Sequence, residues 1–222
     1  KPDTLIKFQV IDDNSSDENL KKLKDLINTH SIKCEIINHD KSEHKEKIAA
    51  ENNQETFGNL SSLLKCFEVA KKDQSDLIYF VEDDYLHYEH SLVDMLNTYE
   101  RVSSQHKDEI IVCPSDYPFN YMNNEKTNIL IGSQQHWRTI TKMLCTFMIS
   151  KKMFQKHIDN FEKTCEKRHE PFEKYLNKIL ESEIGISPIK SLAIHMTNVN
   201  SSYGLSPFID IKKLWEENKI GQ

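Results

Sequence analysis

Hydrophobic and polar positions alternate along this chain in two rhythms. Leu5–Ile11 (LIKFQVI) is a β-rich run that stops at the acidic turn Asp12-Asp13-Asn14-Ser15-Ser16. Asp, Asn and Ser favour helix N-caps, and the next segment places Leu20, Leu23, Leu26 and Ile27 at helical spacing. Ile32–Ile37 predicts a second strand, and the polar stretch from Asn38 to Thr56 predicts a surface loop with some helix. Gly58-Asn59 then opens an amphipathic helix with Leu60, Leu63, Leu64, Phe67 and Ala70 on one face. Leu77–Val81 (LIYFV) is a continuous apolar run, the pattern of a strand buried on both faces, and it breaks into Glu82-Asp83-Asp84. A helix over Ser91–Val102 and a strand over Glu109–Cys113 complete the first half.

The alternation of strand and helix predicts an α/β sheet with parallel strands. The second half reads differently. Thr127–Gly132 and Thr139–Ile149 are strand-like with no clear helix between them, the segments Lys151–Thr164 and His169–Leu180 are helix-like, and Ser191–His195 is a short strand before a Ser/Pro-rich tail. There is no internal repeat and no low-complexity linker, so one mixed α/β domain is the simplest expectation for 222 residues.

Composition narrows the chemistry. Lys+Arg number 29 and Asp+Glu 35, a formal net charge of −6, which matches nucleic acid or an anionic membrane surface poorly. Five glycines in 222 residues, against a usual share of about 7%, leave neither a GxGxxG nor a GxxxxGK[ST] loop. Any phosphate must be held by something other than a glycine-rich backbone nest. The five cysteines (34, 66, 113, 145 and 165) form no CxxC pair, which points to reduced thiols and a cytoplasmic setting. No run approaches a transmembrane length, leaving peripheral association at the inner face of a membrane open. The chain starts almost directly in a strand with no signal-peptide pattern, so an upstream segment, including a first strand, is expected to be missing.

Ligands of open α/β sheets bind outside the carboxyl ends of the strands. Two such ends carry acids here: Asp12-Asp13, and Glu82-Asp83-Asp84. Clustered carboxylates repel one another, and a hard divalent cation, Mg²⁺ or Mn²⁺, removes that penalty while bridging to substrate phosphates. The plainer reading is that the acids cap the following element and face water.

In this order and strand placement, IDDNSS, VEDDYLH, His136-Trp137-Arg138-Thr139 before a Thr-rich apolar strand, and the closing LAIHM…LSPFID resemble a bacterial group of nucleotide-sugar glycosyltransferases of the GT-A fold. The likeness runs from Phe8 to Asp210. It implies a GT-A-like (Rossmann-like) mixed sheet with flanking helices in a single domain, residues 1–113 binding the nucleotide-sugar and 114–222 the acceptor. By the same resemblance Asp12 or Asp13 contacts the nucleoside, and Glu82, Asp83 and Tyr85 belong to the donor site. Asp84 ligates Mn²⁺ or Mg²⁺, and His195 completes the metal or diphosphate site. Glu170, with Glu173 in reserve, is the general base at the start of a helix opened by Pro171, although the family usually carries Asp there. His136, Trp137 and Arg138 serve acceptor or diphosphate: Trp offers a flat face to a sugar and Arg a guanidinium to an anion. The alternative for this trio is a core tryptophan beside a surface arginine. The tyrosines of 116–121 line an acceptor groove or pack beneath their loop.

The implied reaction is sugar transfer, with inversion, from a nucleotide-sugar to a hydroxyl of a glycan or lipid-linked glycan. Two other readings stand beside it. One is a sugar-phosphate nucleotidyltransferase, which would need a glycine-rich loop that this sequence does not show. The other is a non-catalytic sugar- or nucleotide-binding domain.

Overall fold

In the computed structural model, strand β1 (Phe8–Asp12) ends at the acidic turn, and Ser16 accepts the Asn19 N–H to start helix α1 (Asp17–Thr29). Strand β2 (Cys34–Asn38) returns parallel to β1, with Phe8 opposite Cys34 and Asp12 opposite Asn38. A 3-10 turn at Lys41–His44 leads to helix α2 (Gln54–Lys72). The structure describes residues 5–30, 33–48, 51–122, 124–202, 204–206 and 209–219. Ile32 of the expected second strand, and Pro207 and Phe208 of the closing motif, lie outside them.

Helix α2 begins four residues earlier than Gly58 suggested, because Asn53 accepts the Thr56 N–H at 2.9 Å and caps it. Gly58 therefore sits inside the helix, where a Cβ would lie 3.6 Å from Asp13 Oδ2. The glycine marks the close approach of a carboxylate, not a helix start.

The chain forms two compact units. The first comprises residues 1–73 and 161–172. Leu60, Leu64, Phe67 and Ala70 of α2 are buried, and the Phe67 ring meets Phe161 edge-on at 5.1 Å.

The second unit, residues 74–160 and 173–222, holds a six-stranded mixed sheet. Its strands are β3 (Leu77–Phe80), β5 (Ile110–Val112), β6 (Ile129–Ile131), β7 (His136–Ile140), β8 (Phe147–Ser150) and β9 (Ile184–Pro188), in the order β3-β8-β5-β9-β7-β6. Only β5 and β9 run parallel; the other pairings are antiparallel. The expectation of a parallel sheet is thus corrected. Strand β8 enters antiparallel between β3 and β5, and nothing in the strand–helix alternation announces an insertion made from a strand so much later in the chain. LIYFV is also not buried on both faces. It stands at one end of the sheet, with Leu77, Ile78 and Tyr79 half-buried and Val81 exposed.

Helix α3 (Ser91–His106) packs Met95 and Val102 on Ile110, Val112, Trp137, Met148, Ile186 and Leu192. Its buried Asp94 accepts from Thr98, the Gln134 N–H and the Gln135 amide, while Thr98 Oγ1 accepts the Ser133 N–H. These bonds fasten the β6–β7 turn to the helix and so fix the start of the His136-Trp137-Arg138 strand.

The expected single strand over 139–149 is two, β7 and β8, separated by a non-strand segment with Met143, Leu144 and Cys145 buried. Such burial requires the freed backbone groups to find partners, and the Met143 N–H donates to Asn177 Oδ1 at 2.8 Å. The helical stretch 151–164 is likewise two helices, α4 (Lys151–Lys156) and α5 (Ile158–Thr164), and 169–180 shrinks to α6 (Lys174–Ile179). A short strand at Tyr85–His87, the strand β9 and a C-terminal helix α7 (Ile211–Glu217) capped by Asp210 escaped the sequence reading. Among the described residues no helix is long and apolar enough to cross a membrane.

Candidate functional site

Glu82, Asp83 and Asp84 do not lead directly into a helix. They form a tight turn between β3 and a further strand, β4 (Tyr85–His87), which pairs antiparallel with β10 (Ala193–His195). The register sets His195 opposite Tyr85, and the Met196 N–H donates to the Asp84 carbonyl at 2.8 Å. Residues 111 positions apart in sequence, Asp84 and His195, thereby meet: His195 Nε2 is 2.8 Å from Asp84 Oδ2. Thr197 Oγ1 donates to the same carboxylate oxygen. Asp84 Oδ1 is buried and has no hydrogen-bond partner.

The imidazole is held in place by its surroundings. The Tyr85 ring stacks on it, centroids 4.8 Å apart and planes 10° from parallel, and the Tyr85 hydroxyl bonds to that of Tyr117. Burial raises both phenols far above their ordinary range, so they stay neutral.

Glu82 is fixed by Thr146, just before β8. The Glu82 N–H donates to Thr146 Oγ1 at 3.0 Å, and that hydroxyl faces Glu82 Oε2 at 3.4 Å. Burial first, then the carboxylates of Asp84, Glu173 and Asp83, push the Glu82 carboxyl up to about 7. Like charges gathered in a poorly solvated turn are the arrangement that a cation relieves. Asp83 is exposed at the turn.

Among the described residues no three His, Cys, Asp or Glu side chains are grouped so as to hold a metal ion unaided. The Asp84–His195 pair still suits Mn²⁺ or Mg²⁺ that takes its remaining ligands from substrate oxygens and water. The unpartnered Oδ1 is the observation in favour of that fit.

Glu173 occupies the N-cap position of α6 in the second unit and is close enough to Glu82 to act on its charge. Glu170 is exposed and belongs to the first unit. The expected helix start at Pro171 is not found. The Glu170–Pro171 bond is cis and α6 begins at Lys174, since only Leu176 and Ile179 supply the buried helical face there.

Strand alternation sets Trp137 on the opposite face of β7 from His136 and Arg138. His136 is exposed, whereas Trp137 is 0% exposed and lies in the core over Gly132. No face of that indole is available to a sugar, and the core reading of Trp137 holds. Arg138 is buried rather than on the surface. Its guanidinium stacks 4.5 Å above Tyr121, and Nη2 donates to the Asn120 carbonyl at 3.2 Å. Beside it Asp116, 1% exposed, accepts from Tyr121 at 2.6 Å and from Ser206 at 3.3 Å. Thr146 and Thr197 went unmarked in the sequence, and Asp116 stood there only as the start of the tyrosine-bearing stretch 116–121. Lone hydroxyls and one more acid carry no spacing signal.

Burial pushes the Asp116 carboxyl up to about 6, against the pull of Tyr121, Arg138 and Ser206. A carboxyl whose pKa is raised on folding stabilises the fold in its protonated form. That stability is present below the unfolded value near 3.8 and lost as pH rises through about 6. Asp116→Asn should therefore gain on the parent protein between pH 4 and pH 6.5, by on the order of 3 kcal/mol. Urea melts of both proteins across that range check it, and a pH-independent difference would refute it.

The Asp12-Asp13 turn belongs to the first unit and is described by itself. Asp12 is buried, its carboxylate accepts the Ser15 N–H at 3.3 Å, and its carbonyl accepts the His39 N–H at 2.8 Å. It closes the turn. Asp13 is half-exposed, 3.7 Å from Lys41 Nζ, and is the more accessible of the two.

No protein-family model matches the chain, and no curated protein matches it in sequence.

Proposed function

We propose that the protein is a metal-dependent glycosyltransferase that moves a sugar from a nucleotide-sugar to a hydroxyl of a glycan or lipid-linked glycan. The meeting of Asp84 with His195 carries this reading: two residues singled out separately for one ligand site lie 2.8 Å apart on neighbouring strands. In support, an acidic turn at the end of a strand, a raised Glu82 and an unpartnered buried carboxylate oxygen all favour a cation and an oxyanion there.

Asp84 and His195 would hold Mn²⁺ or Mg²⁺, which supplies Lewis-acid relief of the charge on the leaving diphosphate. Thr197 and Tyr85 orient the two ligands. Glu82 and Asp83 border the donor. An acceptor hydroxyl attacks the anomeric carbon, the bond to the diphosphate oxygen breaks, and a carboxylate takes the hydroxyl proton. Glu173 is the stronger candidate for that base on position, because its charge reaches Glu82; Glu170 remains the candidate from resemblance.

A panel of nucleotide-sugars screened by thermal shift with Mn²⁺ tests the proposal, since a ligand of the native state raises apparent stability as ln(1 + [L]/Kd). At least one donor should raise Tm in the presence of Mn²⁺ and lose most of that shift in EDTA. No shift with any donor would overturn it.

A further inference from the structure

A second cluster lies in the first unit, away from any role given so far. His39 Nε2 is 2.8 Å from Ser61 Oγ, and His44 Nδ1 is 2.9 Å from the same oxygen. His44 Nε2 is 3.2 Å from Glu68 Oε2. The side chains are deeply buried, His39 5% exposed, His44 2% and Ser61 0%, and the two ring centroids are 5.3 Å apart. His39 Nδ1 is buried without a hydrogen-bond partner.

Proton counting decides what this cluster can do. A carboxylate only accepts, so His44 Nε2 carries a hydrogen and donates to Glu68. A hydroxyl has one hydrogen to give. With both rings neutral, His44 Nδ1 is bare and accepts from Ser61, and Ser61 accepts from His39 Nε2–H. This one-way chain is complete and leaves only the bare His39 Nδ1 unpaired. One added proton is accommodated in either of two ways. It can sit on His39 Nδ1 and leave the chain as it is. Alternatively it sits on His44 Nδ1, the Ser61 hydroxyl turns round, and His39 accepts through Nε2 while its own hydrogen moves to Nδ1. Two added protons are not accommodated. Ser61 would then face two N–H donors with no acceptor for its own hydrogen, and two buried cations would stand 5.3 Å apart.

We infer that His39, Ser61 and His44 form a one-proton switch: the cluster takes up a single proton, and a second opens the first unit. The charges around it agree with a limit of one. Facing His39 are Asp13 from the turn after β1, Glu43 and His44 from the 3-10 turn, and Lys65 from α2. Glu68 faces His44, and Lys47 pairs with that same carboxylate. Burial first, then His44, hold His39 below the ordinary histidine range, with Lys65 acting the same way and Asp13 and Glu43 opposing. The His39 N–H holds the Asp12 carbonyl, so opening the cluster also loosens the acidic turn.

Histidine ring resonances of isotopically labelled whole protein, followed by NMR from pH 8 to pH 4.5, test the switch. The two rings should show two steps separated by at least about tenfold in proton affinity. The amide signals of α2 should be lost with the second step. In His44→Gln the midpoint of His39 should move up by at least about one pH unit, the same tenfold. Should that variant fail to fold, His44→Phe serves the same reading. Steps within tenfold of one another while the α2 amides persist, or an unmoved His39 midpoint in the folded variant, would overturn the inference.

Discussion

Asp84→Asn should lower sugar transfer by about a hundredfold or more while leaving the fold intact. Removing one group that stabilises developing charge in an active site commonly costs about 10²–10³ in rate, and here the same group is the carboxylate ligand of the proposed cation. The amide keeps the size of the side chain and one oxygen to accept from Thr197 or His195. It also removes one of the charges that crowd Glu82, so the melting temperature should not fall. Thr197→Val acts through Asp84 and should do less, about 10–100-fold in Mn²⁺ affinity, the usual cost of losing an outer hydrogen bond to a metal ligand. The measurement is transfer rate against Mn²⁺ concentration once a donor is known. Unchanged activity in Asp84→Asn, or full activity in chelator, would remove the cation from the proposal.

Gly132→Ala should produce the largest loss of stability from a single methyl group. An added Cβ would stand 2.2 Å from Trp137 Cδ1 and Nε1 and 2.8 Å from Thr98 Oγ1. The indole is rigid and fully buried, and Thr98 is committed to Asp94 and the Ser133 N–H. Neither can step aside, so the β6–β7 turn must shift or the core must open. Overpacking of this kind costs about 1–3 kcal/mol and sometimes more; a loss of about 3 kcal/mol corresponds to a drop of about 6–12 °C in Tm for a chain of this length. Circular dichroism melts of the two proteins decide the matter, and an unchanged Tm would show that Trp137 has room to move.

What the sequence made legible follows from the range of each signal. Local signals served well: the Ser16 cap placed α1, and the apolar face from Leu60 to Ala70 placed most of α2. The acids at the ends of β1 and β3 stood where an abrupt change from apolar to charged residues put them. Signals that need a partner failed. LIYFV gave no sign that it would pair antiparallel with Phe147–Ser150. Trp137 looked as suited to a sugar as to a core, because an indole alone does not say which side of β7 faces inward. The pairing of Asp84 with His195 depends on β4 and β10; the run Ser191–His195 reads as a strand, but β4 is three residues long, too short to register, and neither segment names its partner. Glu170 and Glu173, three residues apart in sequence, fall in different units.

The interrupted make-up of the first unit has a consequence for the order in which the protein is built. Its closing piece, residues 161–172 with Phe161 against Phe67, leaves the ribosome only after β3 through β8 have been made. Synthesis from the N-terminus therefore cannot finish the first unit before most of the second has emerged. The second unit waits as well, since β9 must slot between β5 and β7, and Ile110 must find Ile184 across more than seventy residues of chain. Pairings of such long sequence separation form slowly. Neither unit is complete until its late segment, residues 161–172 or β9, has emerged, β-strand edges stay open until then, and that interval is when the nascent chain is most exposed to aggregation.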